Sequence, residues 1–255
     1  MPEEWTNPHP RDETSCGASN GAGHSNIGHH DQGVGPVGDL PLFSGILPGD
    51  YARIFAAACV KEFKRGEVLY VTGDPVQQVL LLTSGFVKTT QLGLGGTVIL
   101  RFSAPGDIVG AVGLFSTGRH RTTAQAFRLC RALAWDALAF KAMVERFSVL
   151  HQNLIRMLAG DLLEIEERFR EVATERVGPR VARQLVRLRE KIGRPVDGAV
   201  EIGLSREELA QMTGTTLFTV SRLLSGWEAR GMVTPRRESV TICDVQSLRA
   251  ISEEF

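Results

Sequence analysis

The amino-acid sequence predicts an α+β protein in which a jelly-roll-like β-roll is followed by a long helix and a C-terminal winged helix–turn–helix. Three observations support this order: short apolar runs between turn signals, then an unbroken heptad pattern, then two helical segments around a glycine. With 255 residues the chain is long enough to bury more than one core. We therefore divide it into a tail (1–38), a β-roll (39–147), a long helix (148–175) and a winged helix–turn–helix (176–255).

The N-terminal tail is rich in glycine and histidine and poor in large apolar residues. Such a segment buries too little surface to offset the entropy that ordering costs, so we expect it to be disordered. A thiol and three imidazoles in the tail are of the types that bind metal; they belong to Cys16, His24, His29 and His30. Their spacing matches no established ligand pattern, and we predict no metal site there.

Membrane and export signals are absent from the sequence pattern. No run approaches the roughly 20 apolar residues that a membrane-spanning helix needs, and the polar N-terminus lacks the apolar core of a signal peptide. We expect a cytoplasmic protein with no membrane partner. The four cysteines are far apart and form no C-x-x-C pair, which favours reduced thiols.

The β-roll is predicted from evenly spaced turns. Apolar runs such as "VLLL" and "TVILRF" lie between the turn signals Arg65-Gly66, Gly73-Asp74, Ser84-Gly85 and Gly95-Gly96. This spacing is typical of an all-β sandwich or roll. The apolar context of Cys59 and Cys130 predicts buried core residues, and Cys243 is predicted to be structural as well.

A long helix is predicted from Ser148 to Thr174. Its apolar residues recur at alternating steps of three and four; they are Ile155, Leu158, Leu162, Ile165, Phe169 and Val172. This heptad seam has charged flanks, which favours a parallel homodimer over packing of the seam on its own β-roll. Gly178-Pro179 is predicted to break the helix, start the next one and form a hinge.

The C-terminal segment has the spacing of a helix–turn–helix. Ser205 and Glu208 form a capping-box pattern for one helix, Gly214 suits the turn after it, and Thr216 can cap the second helix. On a helical wheel one face of the second helix is apolar and points to the core; it comprises Val220, Leu223, Leu224 and Trp227. The opposite face comprises Leu217, Phe218, Ser221, Arg222 and Ser225.

This outward face indicates DNA binding. In a major groove an apolar side chain can contact the thymine methyl group, and an arginine can bind guanine in a bidentate manner. Thr215 and Thr216 are placed to hold phosphates, and Arg236 and Arg237 at a hairpin tip suit the DNA backbone as a wing. A protein interface anchored by Phe218 is the alternative.

Three stretches resemble the Crp/Fnr family of transcription regulators. "LSREELAQMTGTTLFTVSRLLSGWEARGMV" is similar to its winged helix–turn–helix, and "GDPVQQVLLLTSGFVKTT" and "PGDIVGAVGLFSTGRHRTTAQA" are similar to its cyclic-nucleotide-binding β-roll. The resemblance implies a homodimer that binds a two-fold symmetric site on double-stranded DNA, and that contacts RNA polymerase if it is an activator. It also implies a sensor β-roll whose signal passes through a dimerisation helix to the DNA-binding domain.

The expected effector site departs from the family pattern. Gly110 is kept, Ala111 replaces the family's glutamate, and Arg121-Thr122 stands where Arg-Ser is usual. The Thr-Ser pair that contacts adenine from the long helix is replaced by Ile165 and Glu166. These six residues are the candidate effector contacts, but losing the acceptor and the base-reading pair disfavours ordinary cyclic AMP. The effector is therefore unknown, and regulation without an effector stays open.

Other departures affect the operator and the cofactor. Many members carry glutamate where Phe218 stands, so we predict a different base at that position, such as thymine. A four-cysteine iron–sulfur cluster is disfavoured because only Cys16 lies near the N-terminus. His120 is a candidate haem ligand.

The alternative function is a nucleotide- or haem-sensing module that regulates a partner protein without DNA. An enzyme is not expected, because no nucleophile–base signature is present.

Overall fold

The structure, a computed structural model, describes residues 40–254. The predicted tail therefore lies outside the described residues, together with its four candidate ligands Cys16, His24, His29 and His30. Eight strands form the first part of the described chain: β1 (Ala58–Phe63), β2 (Val68–Tyr70), β3 (Gln78–Ser84), β4 (Val87–Gly93), β5 (Gly96–Ser103), β6 (Ile108–Val109), β7 (Thr123–Ala126) and β8 (Cys130–Asp136).

These strands make two antiparallel four-stranded sheets, with orders β1-β8-β3-β6 and β2-β7-β4-β5. Central strand β3 is buried at four successive residues, which explains its unbroken apolar run "VLLL". The β-roll also contains helices that the all-β expectation omitted: a short 3-10 helix (Pro41–Phe43), α1 (Pro48–Ala56), α2 (Ala111–Phe115) and α3 (Ala137–Arg146). The fully buried Trp135 connects β8 to α1 by donating from Nε1 to the Ile54 carbonyl oxygen at 2.9 Å.

Helix α4 (Ser148–Thr174) has the bounds that the heptad pattern predicts. At 27 residues it is about 40 Å long. Its first turns belong to the β-roll: Leu150 and Leu154 are buried, and the Asn153 side chain donates to the Ser44 carbonyl oxygen at 2.7 Å. Further along, the heptad seam is exposed, with Phe169 at 74%. Most of the seam is therefore uncovered in the single chain, whereas Leu158 is half-buried against the β-roll and Ile165 lines a cavity there.

The break after α4 lies earlier than predicted. Glu175 ends α4 in an extended conformation, and α5 (Val177–Ile192) begins after Arg176. Gly178 and Pro179 thus lie in the first turn of α5. The first N–H groups of a helix have no acceptor within the helix, so the missing N–H of a proline costs no hydrogen bond there.

The winged helix–turn–helix follows in the predicted order. It contains α5, β9 (Arg194–Val196), β10 (Ala199–Ile202), α6 (Arg206–Thr213), α7 (Leu217–Glu228), β11 (Val233–Pro235) and β12 (Val240–Ile242), and it ends with α8 (Val245–Ser252), which the sequence analysis missed. The four strands form one antiparallel sheet of order β11-β12-β10-β9. Cys130 is buried as predicted and Cys59 is half-buried. Cys243 lies just after β12 and is exposed, and its Sγ is 3.5 Å from Thr234 Oγ1 on β11.

The winged helix–turn–helix packs against the second sheet of the β-roll. Ile99, Phe102 and Phe127 share one buried cluster with its core. Lys88 on β4 forms an ion pair with Glu208 on α6, with 2.9 Å between Nζ and Oε1. Arg168 on α4 donates to the carbonyl oxygens of Ile99 and Met212 at 3.1 and 2.9 Å, and so connects β5 to α6.

Candidate nucleic-acid interface and β-roll cavity

Helix α7 exposes the face that the sequence analysis assigned to DNA. Val220, Leu224 and Trp227 are buried, whereas Leu217 is 50% and Phe218 76% exposed. Arg222 and Ser225 are also exposed, and Ser221 is half-buried beside them. Two large apolar side chains therefore share a solvent-facing surface with an arginine, and nothing else in residues 40–254 covers them.

The start of α7 is fixed by local hydrogen bonds. Thr216 is the N-cap residue, and its Oγ1 accepts a hydrogen bond from the Thr219 N–H at 3.2 Å. Gly214 ends α6 in the left-handed conformation with φ of 59°, which favours glycine. The predicted capping box of α6 is confirmed: Ser205 Oγ accepts from the Glu208 N–H, and Glu208 accepts from the Ser205 N–H. Thr215 lies half-buried between the two helices.

Two further predicted DNA contacts lie in the turn between β11 and β12. Arg236 and Arg237 are both exposed, and the Arg236 N–H donates to the Ser239 carbonyl oxygen at 2.7 Å to close the hairpin. The hairpin thus presents two guanidinium groups at its tip. Their positions suit contacts to phosphates beside a groove that holds α7.

The β-roll encloses a cavity of about 170 Å³ beside α4. Five predicted effector contacts line it: Gly110, Ala111, Arg121, Thr122 and Ile165. Glu166 is exposed and is not part of the lining, because each residue is turned by about 100° from the one before it on a helix. From α4 the cavity is instead lined by Leu158, Asp161 and Ile165, which share one face at steps of three and four.

The main charged group of the cavity was missed by the sequence analysis. Arg101 on β5 forms an ion pair with Asp161 on α4, and its Nη2 also lies 3.3 Å from Asp107 Oδ2. Burial raises the pKa of Asp161, although the adjacent Arg101 opposes this shift. The only signal in the sequence was a carboxylate on the same helical face as Leu158 and Ile165. Its partner is 60 positions away and could not be inferred from spacing.

The candidate haem ligand His120 is buried against Tyr70. Their rings stack with centroids 3.6 Å apart and planes within 5° of parallel. Burial lowers the pKa of His120, so its imidazole is neutral at pH 7, and burial raises the pKa of Tyr70 against an opposing hydrogen bond with Thr122. Stacking covers a face of the imidazole and leaves the in-plane ring nitrogens, which are its metal-binding atoms. Haem binding by His120 therefore stays a prediction.

The cavity residues fit a cyclic nucleotide poorly. Ala111 is buried and has no acceptor for a ribose hydroxyl. Arg121 is exposed at the rim of the cavity. Within residues 40–254, no three His, Cys, Asp or Glu side chains are grouped as metal ligands would be. None of the described helices is both long and apolar enough to cross a membrane.

Comparison with known proteins gives two family matches. Residues 179–251 match the Crp-like helix-turn-helix domain, and residues 60–147 match the cyclic nucleotide-binding domain. A similar curated protein is the CRP-like cAMP-activated global transcriptional regulator of Mycobacterium tuberculosis, which is 27% identical over 81% of this chain and 94% of the relative. The transcriptional activator protein anr of Pseudomonas aeruginosa is 24% identical over 75% of this chain and 80% of its own.

Solved structures share the fold. FixK2 from Bradyrhizobium japonicum superposes with a TM-score of 0.67 at 24% identity, covering 78% of this chain and 98% of that one. Both matched domains occur in the order of the described architecture, with α4 between them. The chain belongs to the Crp/Fnr family of transcription regulators.

Proposed function

We propose that the chain regulates transcription as a homodimer that places one α7 helix from each subunit into successive major grooves of a two-fold symmetric operator. The observation that carries this proposal is the exposed face of α7, where Phe218 and Leu217 stand beside Arg222 and Ser225. Phosphate contacts come from Thr215 and Thr216 at the start of α7 and from Arg236 and Arg237 on the wing. These residues fix the orientation of the helix, and the exposed face reads the bases.

The seam of α4 supports the homodimer. Ile155, Leu162, Phe169 and Val172 are between 46% and 74% exposed in the single chain. A contiguous apolar stripe of this kind on a soluble domain is typical of an interface, and its heptad spacing suits a second, parallel copy of the same helix. Dimerisation along α4 then sets the distance between the two α7 helices.

The β-roll is the sensor domain in this proposal, since its cavity is lined in part by α4. A change in the cavity can therefore reach the dimer helix and the α5 junction directly. The mycobacterial relative is named as cAMP-activated, but the cavity described here lacks the acceptor and the base-reading pair that cyclic AMP needs. If the protein activates transcription, the DNA-bound dimer also contacts RNA polymerase.

Selection from a random DNA pool tests the proposal. The full chain should enrich a two-fold symmetric site whose half-site centres lie about 10–10.5 bp apart. Its affinity should fall steeply with salt, because each phosphate contact releases counterions. No enrichment, or a flat salt dependence, would favour a module that regulates a partner protein without DNA.

Arg222 provides the sharpest variant for this test. Arg222→Ala should weaken binding to the selected operator by about 1–3 kcal/mol and relax the base preference at one position of each half-site. Arg146→Ala, which removes an exposed arginine from α3 on the β-roll, is the matched control and should leave binding unchanged. If Arg222→Ala weakened binding to all DNA sequences equally, Arg222 would contact only phosphate and not a base.

A further inference from the structure

We propose that the Arg101–Asp161 ion pair ties the β-roll to α4 in place of a small-molecule effector, so that the dimer binds its operator without one. The inference rests on the proposed function, since it concerns how DNA binding is regulated. It begins with the position of the pair: Arg101 comes from β5 and Asp161 from α4, which are two walls of the same cavity.

The ion pair is withdrawn from water. The side chains of Arg101 and Asp161 are only 13% and 25% exposed. Salt and water screen such a pair far less than a surface pair, and a lone charge left behind at the same place would be costly. The Arg101–Asp161 pair therefore links β5 to α4 without the help of a bound ligand.

The charges continue from the cavity into the DNA-binding domain. Asp107 Oδ2 lies 3.3 Å from Arg101 Nη2 and 3.9 Å from Nζ of Lys191, a residue in the last turn of α5. Lys191 Nζ also lies 3.7 Å from Glu164 Oε2 on α4. One chain of alternating charges thus connects the cavity walls to the first helix of the winged helix–turn–helix. These contacts place α5 next to both α4 and the β-roll.

The rest of the cavity leaves little for an anionic effector to bind. Arg101 already faces two carboxylates, and a ligand anion would have to displace Asp161. Among the described residues, Arg101 Nε is a buried donor without an acceptor, but one N–H group does not offset two carboxylates. Ala111 offers no side-chain acceptor, and Leu100, Val109 and Ile165 are apolar. The polar groups that remain in the lining are neutral, apart from Arg121, which is exposed at the rim.

Removal of bound small molecules tests the inference on the wild-type chain. The full-length protein is unfolded in urea, desalted, refolded and checked by mass spectrometry for the loss of small molecules. Its affinity for the selected operator should equal that of the protein as purified, and 1 mM cyclic AMP or the small-molecule filtrate of a cell extract should change it less than twofold. Binding that returns only with cyclic AMP or the filtrate would overturn the inference and leave the proposed function intact. Binding that is absent in every preparation would contradict the proposed function instead.

A double-mutant cycle tests the pair itself. Asp161→Asn and Arg101→Gln should each lower the affinity for the operator at least tenfold. The affinity of the double variant should be no lower than that of the single variant with the lower affinity, because the two residues act as a unit. Arg146→Gln, at an exposed position on α3 outside the cavity, is the matched control and should stay within twofold of wild type. Wild-type affinity in Asp161→Asn, or an equal loss of affinity in Arg146→Gln, would overturn the inference. If a single variant fails to fold, the binding experiment with the refolded, ligand-free wild-type protein still tests the inference.

Discussion

Phe218 is the residue whose exposure most needs a functional explanation. An isolated exposed apolar side chain is ordinary, but Phe218 lies on the same surface as Leu217 and Arg222, on a helix whose other face packs in the core. In the major groove its ring can contact a thymine methyl group. The same position carries glutamate in many members that the chain resembles, and a carboxylate accepts a hydrogen bond from cytosine N4 instead.

Phe218→Glu should therefore shift the preferred base toward cytosine at one position of each half-site. The cost for the original operator is about 1–3 kcal/mol, as for other mismatched contacts. Selection from a random pool with the variant measures the shift. Leu138→Glu, which changes a 77% exposed leucine on α3, is the control. If the variant selects the same operator as wild type, Phe218 does not contact a thymine in the complex.

Glu208 has two partners that act on different parts of the molecule. It completes the capping box of α6 with Ser205, and it forms the ion pair with Lys88 of the β-roll. Burial alone would raise the pKa of Glu208, but the hydrogen bonds from Lys88 and Ser205 outweigh it and lower that pKa. The ionised carboxylate is therefore the form that the folded chain stabilises.

Glu208→Gln keeps the capping geometry and removes the charge, so it should lower the free energy of unfolding at pH 7 by about 1–2 kcal/mol. A lowered pKa in the folded state means that this contribution is present above the unfolded value of about 4.3 and is lost as the pH falls through the folded value. Urea unfolding should thus show a larger difference between variant and wild type at pH 7 than at pH 3. The exposed neighbour Glu207→Gln should show little difference at either pH, and an equal deficit for Glu208→Gln at pH 3 would contradict the electrostatic explanation.

Helix α4 combines two functions along its length. Its first turns are buried in the β-roll through Leu150 and Leu154, and its later turns expose the seam. At its end Glu171 is buried and accepts hydrogen bonds from Arg187 Nη1 and Nη2 at 2.9 and 2.6 Å. An ion pair with a buried carboxylate therefore links α4 to α5 next to their junction, and the hinge at Gly178-Pro179 stays a prediction.

Phe169→Lys should separate the dimer, because it places a charge in the middle of the seam. Sedimentation velocity at about micromolar concentration should give a monomer for this variant and a dimer for wild type. The matched control is Leu163→Lys, at a 65% exposed position outside the heptad seam, which should stay dimeric. A dimer for Phe169→Lys with wild-type affinity would exclude the seam as the interface.

The elements that the sequence predicted well are those that local spacing determines. The capping box of α6, the glycine after it, the Thr216 cap and the length of α4 all depend on residues within one or a few turns. The misses are long-range. The Arg101–Asp161 pair joins a strand to a helix, and the packing of Ile99 and Phe102 against the winged helix–turn–helix joins two domains, so no local pattern reveals either. Glu166 was misplaced because a rotation of 100° separates it from Ile165.

At the scale of the whole molecule, the described chain is an arrangement of three parts that contact one another in pairs. The β-roll contacts α4 through the Arg101–Asp161 pair, α4 contacts the winged helix–turn–helix through Glu171 and Arg168, and the latter contacts the β-roll through Lys88. We expect a change at one of the three contacts to alter the position of the winged helix–turn–helix. In the proposed effector-free state, the Arg101–Asp161 pair is the contact that holds the β-roll on α4.

The central claim is that two copies joined along α4 present paired α7 helices to one operator. Multi-angle light scattering of the purified protein–operator complex tests it most directly. A mass of two chains per DNA duplex is expected, with half-site centres about 10–10.5 bp apart in the same operator. A tight complex with a mass of one chain per duplex would contradict the claim.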